Sequence, residues 1–304
     1  MNIEEHGGKR RNPQPPSVLD LGAKRREAMQ FITEQSRLEV IEPGQSNLDE
    51  RLREYVVFRH RQNPSIGDRS FQDAEIAKLV GWMSTIPVRP SVLRYTGDDV
   101  KVESREGASF TLSKGSVIGC NLSKQTMAYP DEYFEKLLAA RGRFTMDELT
   151  SAVTHPNSPN PYVNFTELEN MREGELRHGA GAGFLLLAEV DDRLQGLGLS
   201  QQILGGVLDY YRSKVGSNYV FVYGRLPEIR LDAGAAREFN DSGKVTPATV
   251  NKYVAQVMDG ERRDWGLGFH RDAGASIICG LPYSYPDKES LNCGFLAVYD
   301  LRGR

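Results

Sequence analysis

The 304-residue sequence predicts an α/β fold of the α+β kind. Three observations predict it. Short apolar runs that suit buried strands, Gly183–Val190 and Tyr219–Tyr223, alternate with segments whose apolar residues recur every 3.6 positions. Four strand-like stretches follow one another between residues 92 and 122, with helical patterns before and after them. A glycine turn, Gly196-Leu197-Gly198, joins one buried strand directly to an amphipathic helix.

The elements follow in order. Residues 1–30 carry three prolines and the basic triplets Lys9-Arg10-Arg11 and Lys24-Arg25-Arg26. That composition cannot bury a core, so a flexible arm is expected, either solvated or touching a partner or an anionic substrate. A single domain is expected over 31–304. Arg37–Glu42 reads as the first strand. Asn47, with Glu50 three residues on, caps a helix that carries Leu48, Leu52, Tyr55 and Val56. A second helix starts near Ser70 with Asp73 at the same spacing. Strands are expected at Val92–Tyr95, Val100–Glu103, Ser109–Leu112 and Ser116–Leu122, with Gly97-Asp98-Asp99 as a hairpin turn. A helix from Pro130 to before Gly142, a helix capped by Thr145 and a proline-rich loop over His155–Pro161 come next.

The second half is more regular. Leu199–Val215 places residues 199, 203, 204, 207, 208, 211 and 215 on one stripe. Thr246-Pro247 opens a helix that stops at Gly260. A short helix spans Trp265–Ala273, and strands Ala275–Leu281 and Gly294–Leu301 close the chain.

Composition excludes several function classes. Apolar residues are 39%, and 30 glycines raise the total to the usual globular value. The net charge of −3 argues against a protein built around a nucleic-acid backbone. The apolar run Phe184–Val190 contains a glutamate and is far too short for a membrane span. Three cysteines, Cys120, Cys279 and Cys293, make no disulfide framework and suit a reducing cytoplasm. His6, His60, His155, His178 and His270 are scattered, with no CxxC or HExxH, so no metal is expected. GxxxxGK[ST] and GxSxG are absent as well.

The strongest local signal is Arg193-Leu194-Gln195-Gly196-Leu197-Gly198. Free N–H groups at a helix N-terminus, the helix dipole and glycines without a Cβ together favour an anion such as a pyrophosphate. Arg193 could add a charge-assisted contact. A dinucleotide fold would want a third glycine at position 201, where this chain has Gln201. By itself the segment also reads as a tight turn into a helix.

Arg-x-x-Gly-x-Gly between strand and helix resembles the acyl-CoA pyrophosphate loop of the GNAT (GCN5-related N-acetyltransferase) superfamily. Downstream, Phe269-His270-x-x-x-Gly274-Ala275 is similar to the superfamily's short Phe-Tyr helix, with His270 at the tyrosine. Together with Thr150–Pro156 after Met146-Asp-Glu-Leu, and Tyr283-Ser-Tyr-Pro286-Asp287 before Asn292-Cys-Gly294, it resembles the subgroup that includes GNAT-like domains of polyketide synthase loading modules. The subgroup's Thr-Arg pair reads Gly224-Arg225 here.

The resemblance implies a mixed, mostly antiparallel sheet splayed at its centre between Gly183–Val190 and Tyr219–Gly224, with the acyl-CoA-binding core over 183–301. Pantetheine would insert between the two strands. The backbone of Val190 would face the thioester, and Arg193, Leu194, Gln195, Gly196, Leu197, Gly198 and Leu199 would hold the pyrophosphate. His270 would serve the departing thiolate as acid, or act as a base near neutral pH; a buried histidine bonded to a carbonyl is the other reading. Arg225 could bind a free carboxylate. Glu189, Asp191 and Asp192 either stabilise the helix terminus or orient and deprotonate an amine. His155 either lines the acceptor mouth or is exposed. Cys279 and Cys293 read as small core residues.

The implied activity is acyl transfer from acetyl-CoA, or another acyl-CoA, to an amine. The alternatives are decarboxylation of a malonyl-type thioester, transfer to a carrier-protein thiol, and binding of CoA without catalysis. The acceptor, a small molecule or a carrier protein, is not readable. Segment 226–264 is expected to cover the acceptor side.

Overall fold

The computed structural model describes residues 26–28, 30–64, 69–85, 88–104, 107–125, 182–282 and 287–303. The expected helices at 130–142 and 145, the loop at 155–161 with His155, and the 146–156 and 283–286 parts of the resemblance lie outside the described residues.

Seven strands form one sheet: β1 (Ser36–Val40), β2 (Val88–Tyr95), β5 (Val117–Gln125), β6 (Gly183–Val190), β7 (Tyr219–Arg225), β8 (Ser276–Leu281) and β9 (Gly294–Asp300). Their spatial order is β1-β2-β5-β6-β7-β9-β8. Every neighbouring pair is antiparallel except β6 and β7 at the centre. The expected mixed, mostly antiparallel sheet is therefore present. β3 (Val100–Glu103) and β4 (Ser109–Leu112) form a separate two-stranded ribbon. This corrects the reading of Gly97-Asp98-Asp99 as a hairpin turn. β2 pairs with β5 instead of β3, and Asp99 accepts from the backbone N–H of Lys114, which leads out of the ribbon.

Helices cover both faces. α1 (Leu48–Gln62) and α2 (Arg69–Thr85) pack on one face, where Leu52, Tyr55, Val56, Phe58, Ile76 and Leu79 meet Val92, Cys120 and Leu122. Glu39 of β1 accepts from both Arg51 of α1 and Arg94 of β2, which fastens that helix to the sheet edge. α3 (Leu199–Tyr210) packs on the other face and continues as a π turn over Tyr211–Val215. It buries Leu199, Ile203, Leu204, Val207 and Leu208, at about 1.5–3 kcal/mol of gross stabilisation per side chain. Gly206 lets this helix approach closely, because a Cβ there would meet the Leu38 side chain at 2.8 Å.

Between β7 and β8 lie α4 (Ala233–Ser242), α5 (Pro247–Met258) and α6 (Trp265–Asp272). α4 has no counterpart in the sequence reading. Asp232 caps it by accepting from the N–H of Ala235 at 2.7 Å, and Gly243 closes it at φ +70°. Thr246 caps α5 as expected, with Pro247 in its first turn. α5 presses on β8, where a Cβ at Gly280 would meet Val250 at 2.7 Å. Val250, Val254 and Leu267 join the same core as α3, Val222, Phe295 and Ala297. The 226–264 insertion thus packs on the α3 face.

Candidate active site

Two irregularities shape the sheet centre. β6 and β7 pair only at Gly183↔Val220, Phe184↔Phe221 and Leu185↔Val222. β6 then runs five residues further on β5 alone, and β7 continues to Arg225 on β9 alone. Residues 186–190 and 223–225 therefore face each other across an opened edge whose backbone groups are unpaired between the two strands. The second irregularity is a β-bulge. Leu122 pairs with Leu187 but Ser123 pairs with Leu185, so Leu186 has no opposite residue. One extra residue inverts the alternation of side chains along a strand. Leu185 lies in the α3-side core, whereas Leu187 packs in the α1/α2-side core. The bulge and the end of β7 pairing fall at the same place. Leu186 is accordingly 40% exposed, though the apolar run reads as a fully buried strand.

Beyond Val190 the chain makes a 3-10 turn at Asp192–Leu194 and then the glycine loop. Gly196 and Gly198 adopt φ +78° and +75°, a region open to glycine and costly for other residues. Gly198 is the N-cap of α3 and supplies no side-chain cap. Among the described residues, the backbone N–H groups of Gly196, Leu197, Gly198, Leu199 and Ser200 donate to no protein acceptor. Leu194, Leu197 and Leu199 are buried and anchor the loop from beneath. Five N–H groups on a helix N-terminus fit an anion with several oxygens.

The charged residues of this loop have distinct jobs. Arg193 is turned back on Asp191, with Nε and Nη2 at 3.0 and 2.7 Å from its two carboxylate oxygens, and its guanidinium covers the Phe110 ring. Burial opposes the charge of Asp191, but the Arg193 side chain and N–H outweigh it and hold the carboxyl below its ordinary range. Asp191 caps the turn by accepting from the N–H of Arg193, and Asp192 accepts from Gln195 Nε2 at 2.7 Å. Both acids therefore stabilise the turn. Glu189 differs from them: the bulge aims it at α1, where its Oε2 lies 3.3 Å from Arg59 Nε. Burial raises its carboxyl, and Arg59 offsets this only in part.

α6 is capped by Asp264, which accepts from the N–H of Leu267. A Cβ at Gly266 would lie 3.0 Å from the carbonyl of Arg225, so this helix touches β7 directly. His270 faces β9: its Nδ1 is 2.8 Å from Tyr299 Oη, and Phe269 and Phe295 flank its ring. Phe295 pairs with Gly224, which lies beyond the last β7 residue paired to β6. His270 thus stands beside the splayed half of β7. Burial lowers its pKa to about 4, so the imidazole is neutral at pH 7. The near-neutral pKa expected of this imidazole is not what its environment gives.

The Gly224 departure has a packing cause. A Cβ there would lie 2.5 Å from the Phe295 ring, leaving no room for a threonine. The next residue, Arg225, is held by Asp287 at 2.9 Å and stacks over Trp265. Cys120, Cys279 and Cys293 are buried and form no disulfide among the described residues. Among the described residues, no three metal-ligating side chains cluster, and no helix is long and apolar enough to cross a membrane.

An antiparallel sheet with one parallel pair at its centre, opened from one end and followed by a glycine loop into a helix, identifies the architecture. The chain has the GNAT fold. Among solved structures, malonyl-CoA decarboxylase from Rhodopseudomonas palustris is similar at TM-score 0.51 and 11% identity, over 93% of this chain and 60% of that one. The GNAT-like decarboxylase GphF in complex with isobutyryl-CoA matches at TM-score 0.46 and 16% identity, over 88% of this chain and 100% of that one. The loading GNATL domain of CurA from Lyngbya majuscula gives 0.45 and 16% over the same shares. No protein-family model and no curated protein matches the sequence.

Within this GNAT fold, the loop residues 193–199 and the Val190 backbone belong to one continuous strand–loop–helix unit. His270 comes from the far side of the opened edge. Sequence reasoning missed Tyr55 and Arg59. They sit at i and i+4 on the buried stripe of α1, and a charge on that stripe was the available signal. With Glu75 and Leu79 of α2 and Leu186 and Leu187 of β6, they line a cavity of about 270 Å³ on the α1/α2 face.

Proposed function

We propose that this chain is an acyl-CoA-dependent acyltransferase that moves an acetyl group from acetyl-CoA to an amine. The observation that carries the reading is the coincidence of three features along one stretch of chain. Pairing with β7 stops at Leu185, the bulge falls at Leu186, and five unpartnered N–H groups follow at 196–200. An opened strand edge suits the amides of a pantetheine arm, which would bond to it as an extra strand does. The helix N-terminus beyond it suits a pyrophosphate. Arg193, committed to Asp191, would shape the loop and lend its outer face to the anion.

In the transfer, the amine nitrogen attacks the thioester carbonyl. The C–N bond forms and the C–S bond breaks; an acceptor that enters as an ammonium sheds two protons, one before attack and one as the amide forms, and the thiolate gains the second. Positioning and backbone N–H groups near Val190 would stabilise the oxyanion. Glu189, whose carboxyl burial raises, would take the proton from the ammonium form of the acceptor. His270, neutral at pH 7, would donate a hydrogen bond from Nε2 to the departing sulfur, whose proton comes from the attacking nitrogen. The tautomer that suits this role has Nδ1 accepting from Tyr299 Oη and Nε2 carrying the proton.

Decarboxylation of a malonyl-type thioester is the second reading, favoured by a histidine at the tyrosine position. Two observations weigh against it: Arg225 is already engaged by Asp287, and Gly224 has no hydroxyl. Calorimetry with acetyl-CoA, followed by assays of thiol release and CO₂ with acetyl-CoA and malonyl-CoA, tests both. Amine-dependent thiol release without CO₂ is expected. CO₂ from malonyl-CoA would favour the second reading, and binding without turnover would leave a CoA-binding protein.

A further inference from the structure

We propose that Asp264 is a positioning residue for His270, its two carboxylate oxygens holding α6 in place against the splayed half of β7. This rests on the acyltransferase reading and deepens it. A helix cap needs one acceptor oxygen. Asp264 uses Oδ1 for that, accepting from the N–H of Leu267 at 3.0 Å. Its Oδ2 reaches outside the helix. It accepts from the N–H of Glu228 at 3.2 Å, on the segment that leaves β7, and from Tyr253 Oη of α5 at 3.0 Å. One side chain therefore joins the exit of β7, α5 and the start of α6. A serine caps a helix as well, but its single oxygen could not make all of these ties.

Asp264 is buried and forms no ion pair among the described residues. Burial raises its carboxyl, and the N–H groups of Leu267 and Glu228 and the Tyr253 hydroxyl offset this only in part. A buried carboxylate without a counter-ion is costly where a neutral cap would serve the helix. What the carboxylate adds is location. Gly266, two residues on, lies so close to the end of β7 that a Cβ would sit 3.0 Å from the Arg225 carbonyl oxygen and 3.3 Å from Pro227 Cδ. The helical rise of about 1.5 Å per residue carries His270 roughly 9 Å along the axis from Asp264. Over that length a tilt of about 10° at the start of α6 displaces the ring by roughly 1.5 Å, a shift on the scale that can cost about 10²-fold in rate. Tyr299 of β9 fixes the plane of the imidazole. Asp264 fixes the helix that carries it.

The test uses the purified full chain and reads the imidazole and the turnover separately. Asp264→Asn keeps one capping oxygen and replaces the other with an amide NH₂. Tyr253→Phe keeps the ring that packs the core and removes one tie. Nitrogen NMR of the His270 side chain, assigned by its loss in His270→Ala, should show the Nδ1 resonance shifted or broadened in Asp264→Asn. There kcat should fall roughly ten- to a hundredfold, and in Tyr253→Phe roughly threefold, while the acetyl-CoA Kd stays within about twofold. In a His270→Ala background, Asp264→Asn should lower kcat by less than about twofold more, because its effect passes through the ring. An equal loss in both backgrounds, an unchanged kcat, or an unchanged His270 resonance in folded Asp264→Asn overturns the proposal and leaves Asp264 a helix cap. If the wild type consumes no acyl-CoA, the acyltransferase reading fails, and the His270 resonance still decides whether Asp264 positions the ring.

Discussion

His270 Nδ1 and Tyr299 Oη lie 2.8 Å apart, in a pocket walled by Phe269 and Phe295. The hydrogen bond fixes the imidazole plane and leaves Nε2 as the ring nitrogen free for chemistry. His270→Ala should lower kcat by about 10²–10³, the usual worth of a positioned hydrogen-bond donor to developing charge. Its acetyl-CoA Kd should hardly move, because the loop and β6 hold that substrate. Tyr299→Phe should lower kcat less, by roughly tenfold, through loss of one orienting bond. Equal turnover in wild type and His270→Ala would return the histidine to a packing role.

The same burial makes a pH prediction. The folded pKa of about 4 lies below the ordinary 6.5 of an unfolded chain. As pH falls below 6.5, the unfolded state takes up a proton that the folded state refuses. Stability should therefore be full above pH 6.5, decline towards pH 4 and level off below it, by about 3 kcal/mol at most. Carboxylates such as Asp191 add their own acid dependence, so the comparison must be with His270→Gln. The gap between the two urea midpoints should narrow or reverse between pH 7 and pH 4.5. A constant gap would show that the ring is hydrated.

For the loop, Gly196→Asn and Gly196→Asp form a pair. Both force a side chain onto a residue at φ +78°, so both carry the same backbone strain. Only the aspartate adds a negative charge among the free N–H groups. The aspartate variant should bind acetyl-CoA more weakly than the asparagine variant by a further kcal/mol or more, the scale of a charge-assisted hydrogen bond. Calorimetry with equal affinities in two folded variants would refute the pyrophosphate assignment.

Gly224→Thr should destabilise the protein by about 1–3 kcal/mol, because its Cβ must displace the Phe295 ring. Phe295→Leu should relieve part of that cost when the two are combined, giving a coupling energy in a double-mutant cycle. Strict additivity would mean that the ring moves away freely.

The arm is expected to be dispensable only up to a definite point. Residues 30–34 are helical, Ile32 is fully buried, and Gln202 of α3 donates to the carbonyls of Thr33 and Ser36. A chain beginning at Gln30 should melt within a few degrees of full length. One beginning at Ser36 loses Ile32, worth about 2–5 kcal/mol as a core deletion, and should melt roughly 4 °C or more lower.

The residues themselves determined much of this protein. Period-2 and period-3.6 patterns placed β3, β4 and β6 at their observed ends, and β7, β8, β9, α3, α5 and α6 with shifts of a few residues at their termini, because those patterns reflect which face meets a core. The glycine spacing at 196 and 198 exposed the anion loop, since only glycine accepts those φ values cheaply. Tertiary structure decided the rest. No local pattern marks the bulge at Leu186, because a bulge exists only relative to the strand opposite it. That bulge turns Glu189 from the loop, where Asp191 and Asp192 work, towards Arg59. The low pKa of His270 arises from burial among neighbours that include Phe295 and Tyr299, 25 and 29 residues away in sequence. The Tyr55–Arg59–Glu189 cluster joins a helix and a strand more than 100 residues apart. Charge, burial and hydrogen bonding at such a site are sums over neighbours in space, and the chain acquires those neighbours only when the sheet closes around β6.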